Sequence, residues 1–404
     1  MKKLVHTPEG VRDIYNGDCL KKLTIENRIH GVLRSYGYSD IQTPTFEFFD
    51  IFNKERGSVA SKEMYKFFDR EGNTLVLRPD MTPSIARASA KYFSDTDAPI
   101  KLCYKGNTFI NNSSYQGRLK ETTQIGAEFI GDNSVIADAE VIAIVIESLL
   151  SSGLTDFQVE IGQVMFFKGL VEEAGLDSEV EEELRMLIQE KNYFGVEELV
   201  NSRNISKNLC DTFLKLPQLF GSVDILAEAK KLTTNENAIA AIDRLLEMYD
   251  ILKIYGYEKY VTFDLGMLSN LLYYTGIIFQ GLTYGTGEAV VKGGRYDSLL
   301  KQFGTDKPSV GFSFTIDQLM VALDRQKIKI IPDEKNTCNI IYTKKQLKRA
   351  IELAMEYRKK RFNVNMVLNE QGYDKEYYIE NAVTNKTSHI IYLSEEEDID
   401  ECMD

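Results

Sequence analysis

Paired cysteines, clustered histidines and long apolar runs are all missing from this chain of 404 residues. The five cysteines (Cys19, Cys103, Cys210, Cys338 and Cys402) stand far apart, with no Cys-x-x-Cys among them. That pattern suits reduced thiols and indicates neither a zinc site nor a disulfide framework. His6, His30 and His389 have no metal-ligand spacing, so no metal and no cofactor are expected, and surface or core positions suit them better. No Ser/His/Asp or Cys/His nucleophile arrangement is present either. No apolar run follows Met1-Lys2-Lys3, and none is long enough to cross a bilayer. The expectation is a cytoplasmic protein with no membrane partner. Basic runs interleaved with aromatics are absent, and 48 basic against 61 acidic residues leave a net charge of −13. This balance disfavours a nucleic-acid partner. No internal repeat occurs, and low complexity is confined to the acidic tail.

What is present reads as an ordinary globular chain, 43% apolar and 27% charged, long enough for two or three domains with a large core. Asp18 caps a predicted helix running to about Tyr36, with Leu20, Leu23, Ile29, Val32 and Leu33 on one face and Gly37 ending it. Extended segments follow around Ile41, 75–77, 102–104 and 126–130. A helix over 134–150 then leads into an alternating strand at 157–161. Helix, several strands, helix and strand in that order fit an α+β domain with an antiparallel sheet. From 166 to 257 the texture turns to charged, 3.6-periodic segments, a helical insertion. Strand character returns over 261–293 and closes with a helix near 315–323. Past Pro332, strands at 339–342, 364–368 and 389–393 alternate with helices at 344–361 and 375–383, a small parallel α/β unit. The domain boundaries expected are 1–165 with 256–328 for the core, 166–255 for the insertion, 333–396 for the small domain and 397–404 for a solvated acidic tail.

Five motifs carry the chemistry: Thr7-Pro-Glu-Gly-Val-Arg-Asp13, Leu77-Arg-Pro-Asp-Met-Thr82, Gly117 to Gly131, Leu271-Leu-Tyr-Tyr-Thr-Gly-Ile-Ile-Phe279 and Gly293-Gly-Arg-Tyr-Asp297. In this order they resemble the catalytic core of class II histidyl-tRNA synthetases, over roughly 5–165 and 255–325. The resemblance implies a class II antiparallel sheet flanked by helices, and a C-terminal unit like a shortened anticodon-binding domain. The stretch from Tyr36 to Pro44 resembles the first class II motif, which forms the dimer interface in that family.

The departures matter more. A synthetase must neutralise charge that builds on the α-phosphate of ATP, and a planar guanidinium does so with two-point contacts. At the positions that resemblance assigns to this grip, the chain has Ile110 and Asn112, then Ser269, then Gln318. Removing one such donor costs about 10²–10³ in rate. Three lost arginines imply on the order of 10⁶–10⁹ if independent. Family positions that hold histidine keep polar residues instead: Asp80, Thr82, Gln124, Glu128, Tyr273 and Tyr274. Asp80 suits an ammonium group, and Glu128 with Tyr274 suits two imidazole nitrogens. The bland alternative is a buried network around Glu128 and core tyrosines. Arg295 and Asp297 read equally as a structural ion pair or as pocket lining. Arg78, and Arg118 with Lys120, read as residual ligand contacts or a solvated face. Tyr284 to Val290 begins like a phosphate loop but lies between strands, so a turn is expected.

A kept amino-acid pocket without its phosphate grip resembles the synthetase-like regulatory subunits of ATP phosphoribosyltransferase. That resemblance implies no catalysis by this chain, a dimer, assembly with a short-form catalytic subunit into a hetero-oligomer, no tRNA, and L-histidine as effector in the first step of histidine biosynthesis. The alternatives are a divergent histidyl-tRNA synthetase, an aminoacyl-ligase paralogue, or a scaffold that binds no small molecule.

Overall fold

The computed structural model describes residues 5–52, 59–112, 118–203, 205–268, 273–331, 337–384, 388–394 and 399–402. The chain divides into two compact units, Met1–Ile330 and Ile331–Asp404.

The first unit is built on a nine-stranded mixed sheet. In spatial order its strands are Ser39–Asp40, Ile100–Phe109, Glu121–Ile130, Ser309–Thr315, Val291–Arg295, Ile277–Leu282, Gln158–Gln163, Val261–Asp264 and Phe220–Gly221. The centre is antiparallel, as expected, but Ser39–Asp40 runs parallel to its neighbour and so do Gln158–Gln163 and Val261–Asp264. Parallel neighbours need a long crossover. Here the helical insertion is that crossover, running from Val164–Ala174 through Glu236–Tyr255 between the two strands.

Local signals explain the helices. Ser134 accepts the Ala137 N–H at the start of Val135–Ser151, and Asn235 does the same for Ala238 ahead of Glu236–Tyr255. Gly256, at φ +74°, ends the latter. Val135–Ser151 is buried nearly all round. It packs against Asn16–Ser35 (the helix expected from Asp18), against Glu236–Tyr255, and against the central strand Ser309–Thr315. A further helix, Thr82–Tyr92, was not expected from the sequence: its buried face is mostly Ala and Ser, with Ile85 its main large apolar residue. Pro83 in its first turn was the available signal. A three-stranded sheet of Phe46–Phe48, Thr74–Leu77 and Lys66–Phe68 completes the unit.

The second unit has Thr337–Tyr342 between parallel Asn363–Leu368 and His389–Tyr392, with helices Leu347–Lys359 and Lys375–Thr384. One expectation is corrected. Ile399–Cys402, assigned to a solvated tail, pairs antiparallel with His389–Tyr392 as an edge strand. Ile399 and Cys402 interrupt the acidic run, and that apolar spacing was too short to read as a strand.

Candidate functional site

A cavity of about 800 Å³ opens on the central strands of the first unit. Side chains alternate along a strand, so Gln124 and Glu128 of one strand share a face with Gly311 and Ser313 of its neighbour. The registered pairs are Glu128 with Gly311 and Gly126 with Ser313. Asp80 and Thr82 enter from the start of helix Thr82–Tyr92, and Tyr273 and Tyr274 lead into the strand Ile277–Leu282. Asp80, Thr82, Gln124, Tyr273 and Tyr274 line the cavity together with Tyr296. Asp80 Oδ1 accepts the Met81 N–H at 2.7 Å. The rings of Tyr273 and Tyr274 lie 4.8 Å apart, and Tyr273 meets Tyr296 edge-on at 5.9 Å. Gln124 Oε1 is buried with no hydrogen-bond partner among the described residues.

Glu128 sits differently from its five companions. It is buried beneath the wall, and its carboxyl accepts from Thr82 Oγ1 at 2.8 Å and from the Tyr296 hydroxyl. Gly311 makes the room: a Cβ there would lie 1.7 Å from Glu128 Oε2. Gly294 plays the same part for Tyr274, whose ring lies 2.7 Å from where its Cβ would be. Burial pushes the Glu128 carboxyl up from 4.5 to about 8, against the opposing pull of the Tyr296 and Thr82 hydroxyls. The unfolded chain therefore loses this proton near pH 4.5 while the folded chain keeps it until about pH 8. Stability from this group is fully present below pH 4.5 and falls with rising pH across that window, by roughly 1.4 kcal/mol per unit. Glu128→Gln is expected to remove most of that slope. Urea unfolding at pH 5 and pH 8 checks it, and equal slopes for both proteins would reject the buried-proton account.

Positions tied to the phosphate grip are electrostatically unlike one. Ile110 lies on the cavity wall. Asn112 donates to the Leu119 carbonyl at 3.1 Å. Gln318 Nε2 donates to Glu288 Oε2 at 3.4 Å, and Arg118 pairs with Glu288 Oε1 at 3.2 Å. Ser269 lies outside the described residues. Among the described lining residues the acidic and basic ones are Asp80, Glu160, Asp264, Glu288, Lys191 and Lys292, with no arginine. Burial, then the Glu160 charge, hold the Asp264 carboxyl above its ordinary range.

The other open readings now divide. Arg295 is a structural ion pair: Nε and Nη2 donate to Asp138 Oδ1 at 2.9 and 2.7 Å, and Nη1 reaches Asp297 at 3.1 Å. Arg78 is buried and donates to the carbonyls of Asn107, Thr43 and Pro44, so it is neither ligand contact nor solvated face. Residues 283–290 form the expected turn between strands. Away from the cavity, His30, Asp40 and Cys103 bring ligand-type atoms within 4.8 Å of one another. Hydrogen bonds from His30 and Cys103 to Asp40 hold that cluster, with Arg34 on the other carboxylate oxygen. Tyr296 went unremarked in the sequence, although it stands inside the quoted Gly-Gly-Arg-Tyr-Asp motif. The cavity contributions of Gln189 and Lys191, from the insertion, carried no local signal.

A sequence model described as histidyl-tRNA synthetase matches residues 10–319. An ATP phosphoribosyltransferase regulatory subunit of Acetivibrio thermocellus is 44% identical over 365 residues, covering 90% of this chain and 87% of that protein. The chain belongs to this family of synthetase-like regulatory subunits. A crystal structure titled ATP phosphoribosyltransferase regulatory subunit/histidyl-tRNA synthetase, from Bacillus halodurans, superposes with a TM-score of 0.84 at 31% identity, over 96% of this chain and 98% of that one. Histidyl-tRNA synthetase from Nostoc superposes at 0.81 with 18% identity, over 98% and 97%, and shares the fold. Family members thus keep the synthetase architecture, and in this chain that architecture encloses a wall with more carboxylates than cations. None of the described helices is long and apolar enough to cross a membrane.

Proposed function

We propose that this chain is the non-catalytic regulatory subunit of an ATP phosphoribosyltransferase. It dimerises through its core, assembles with a short-form catalytic subunit, and makes the first step of histidine biosynthesis responsive to L-histidine. It works in the cytoplasm without tRNA or membrane. Residues 1–165 and 256–328 are the core that carries the site, 166–255 the insertion and 333–396 an accessory domain.

The supporting observation is the asymmetry of the cavity. Its amino-acid side keeps Asp80, Thr82, Gln124, Tyr273 and Tyr274, with Gln124 Oε1 unpartnered among the described residues. Its phosphate side has Ile110 on the wall and Glu288 beside Arg118 and Gln318. A site of this kind holds a small amine or imidazole and not a triphosphate. Effector action is then linkage: histidine shifts the partner's activity only by as much as it prefers one assembly state.

Co-expression with the short catalytic subunit is expected to yield a stable complex, whose phosphoribosyl transfer falls as L-histidine is added. Asp80→Asn and Tyr274→Ala are expected to raise the inhibitory histidine concentration at least about tenfold, through loss of an ammonium contact and of a ring contact. Unchanged inhibition in both variants would remove histidine from this cavity, and failure to form any complex would refute the regulatory role.

A further inference from the structure

The cavity and an exposed aromatic surface share one turn of the insertion. Gln189 and Lys191 line the cavity. Two and three residues beyond Lys191, Tyr193 and Phe194 point outward, with Phe194 75% exposed. Phe220, on the edge strand of the large sheet, is 60% exposed, and the Lys191 ammonium lies 5.6 Å from its ring centroid. Lys191 therefore touches the cavity on one side and this aromatic surface on the other. It is also held at φ +53°, a left-handed conformation that non-glycine residues rarely adopt. Backbone bonds from Lys191 N to Ile188 O and from Asn192 N to Leu187 O fix the turn to helix Ser178–Gln189.

A contiguous exposed apolar patch rimmed by polar residues marks an interaction surface, and aromatics are enriched among the anchors of such surfaces. The charge around these tells what they bind. Between Asp177 and Glu198 eight carboxylates accompany two cations, and Glu182, Glu183, Glu190, Glu197 and Glu198 are exposed. Such a surface repels nucleic acid and suits a basic protein surface with an apolar centre.

We infer that the turn at 189–194, with Phe220, is the docking surface for the catalytic subunit, and that Lys191 couples it to the cavity. The inference rests on the proposed function. A ligand that draws the Lys191 ammonium toward Asp264 or Glu160 on the cavity wall moves it off Phe220. A partner seated on Phe220 and Phe194 resists that movement. Histidine and partner then alter each other's affinity by one common factor, as linkage requires.

The test is binding of the full-length chain to immobilised catalytic subunit, with and without saturating L-histidine. Phe194→Asp and Phe220→Asp are each expected to weaken assembly at least about tenfold, the loss typical of a central aromatic anchor. Their thermal midpoints should stay within a few degrees of wild type, since both side chains are exposed. Lys191→Ala is expected to shrink the factor by which L-histidine changes assembly at least about threefold. Wild type that assembles, with both phenylalanine variants assembling within twofold of it, would overturn the surface alone. A Lys191→Ala chain that keeps the full histidine factor would overturn the coupling. Wild type that does not assemble would overturn the regulatory role and this inference with it. Weakened self-association with unchanged partner binding would reassign the surface to a second copy of the chain and also overturn the inference.

Discussion

Mixed with ATP, magnesium and L-histidine, the chain is expected to exchange pyrophosphate at least about a millionfold more slowly than a working histidyl-tRNA synthetase. The expectation follows from charge. Adenylate formation gathers negative charge at the α-phosphate, and preorganised cations supply most of its stabilisation. Each lost donor costs about 10²–10³ in rate, and the resemblance to the synthetases implies that Ile110, Ser269 and Gln318 replace three arginines. Geometry strengthens that arithmetic. The described cavity wall holds Lys191 and Lys292 as its only cations, against Asp80, Glu160, Asp264 and Glu288. An ammonium is a point charge without the planar fork that matches two phosphate oxygens. Arg118, which could have served, is engaged by Glu288, whose other oxygen takes Gln318. An excess of carboxylates raises the cost of bringing in a triphosphate before any chemistry begins. Exchange of labelled pyrophosphate into ATP measures this. Turnover within about a thousandfold of a synthetase would mean that no more than one donor's worth of stabilisation is lost, and the reading of a divergent synthetase would replace the one proposed.

The sequence disclosed the scaffold better than the connections within it. Val135–Ser151 was legible because Ser134 caps it and its apolar residues run unbroken over 141–146, and the strand near 157–161 was legible through alternation. Helix Thr82–Tyr92 was not, because its buried face is mostly Ala and Ser, with Ile85 as its one buried branched aliphatic side chain. The polar residues of the cavity could be listed by motif, yet the place of Glu128 could not. Its partners Thr82 and Tyr296 are 46 and 168 residues away, and Gly311, which makes space for it, belongs to another strand. The same holds for Arg295, whose role was balanced between pocket and ion pair until Asp138, 157 residues earlier, appeared against it. Long-range pairing decides such cases, and no window along the chain contains it.

Asp138→Ala is expected to cost about 3–5 kcal/mol of stability, enough to remove a large part of what a domain of this kind holds in reserve. The carboxylate is wholly buried, and two guanidinium groups converge on it. Arg295 takes Oδ1, while Arg244, from helix Glu236–Tyr255 of the insertion, reaches Oδ2 with Nε at 2.8 Å and Nη2 at 2.6 Å. Truncating Asp138 strands the Arg295 cation, itself only 2% exposed, with the partly exposed Asp297 and the Asp132 carbonyl as its main acceptors. A buried charge without its partner is among the most costly single defects. Arg244→Ala is expected to cost less, about 1–2 kcal/mol, because its side chain reaches solvent and Asp138 keeps Arg295. The consequence for the site is direct. Arg295 is followed in sequence by Tyr296, which holds Glu128 beneath the cavity, so loosening the clamp loosens the wall that Tyr296 forms. Asp138→Ala should therefore weaken ligand binding as well as folding, whereas Arg244→Ala should affect mainly the docking of the insertion. Urea unfolding of the three proteins, with histidine calorimetry on those that fold, separates the two. If Asp138→Ala unfolds within about 1 kcal/mol of wild type, the Arg295–Asp138–Arg244 clamp does not hold the core together as argued.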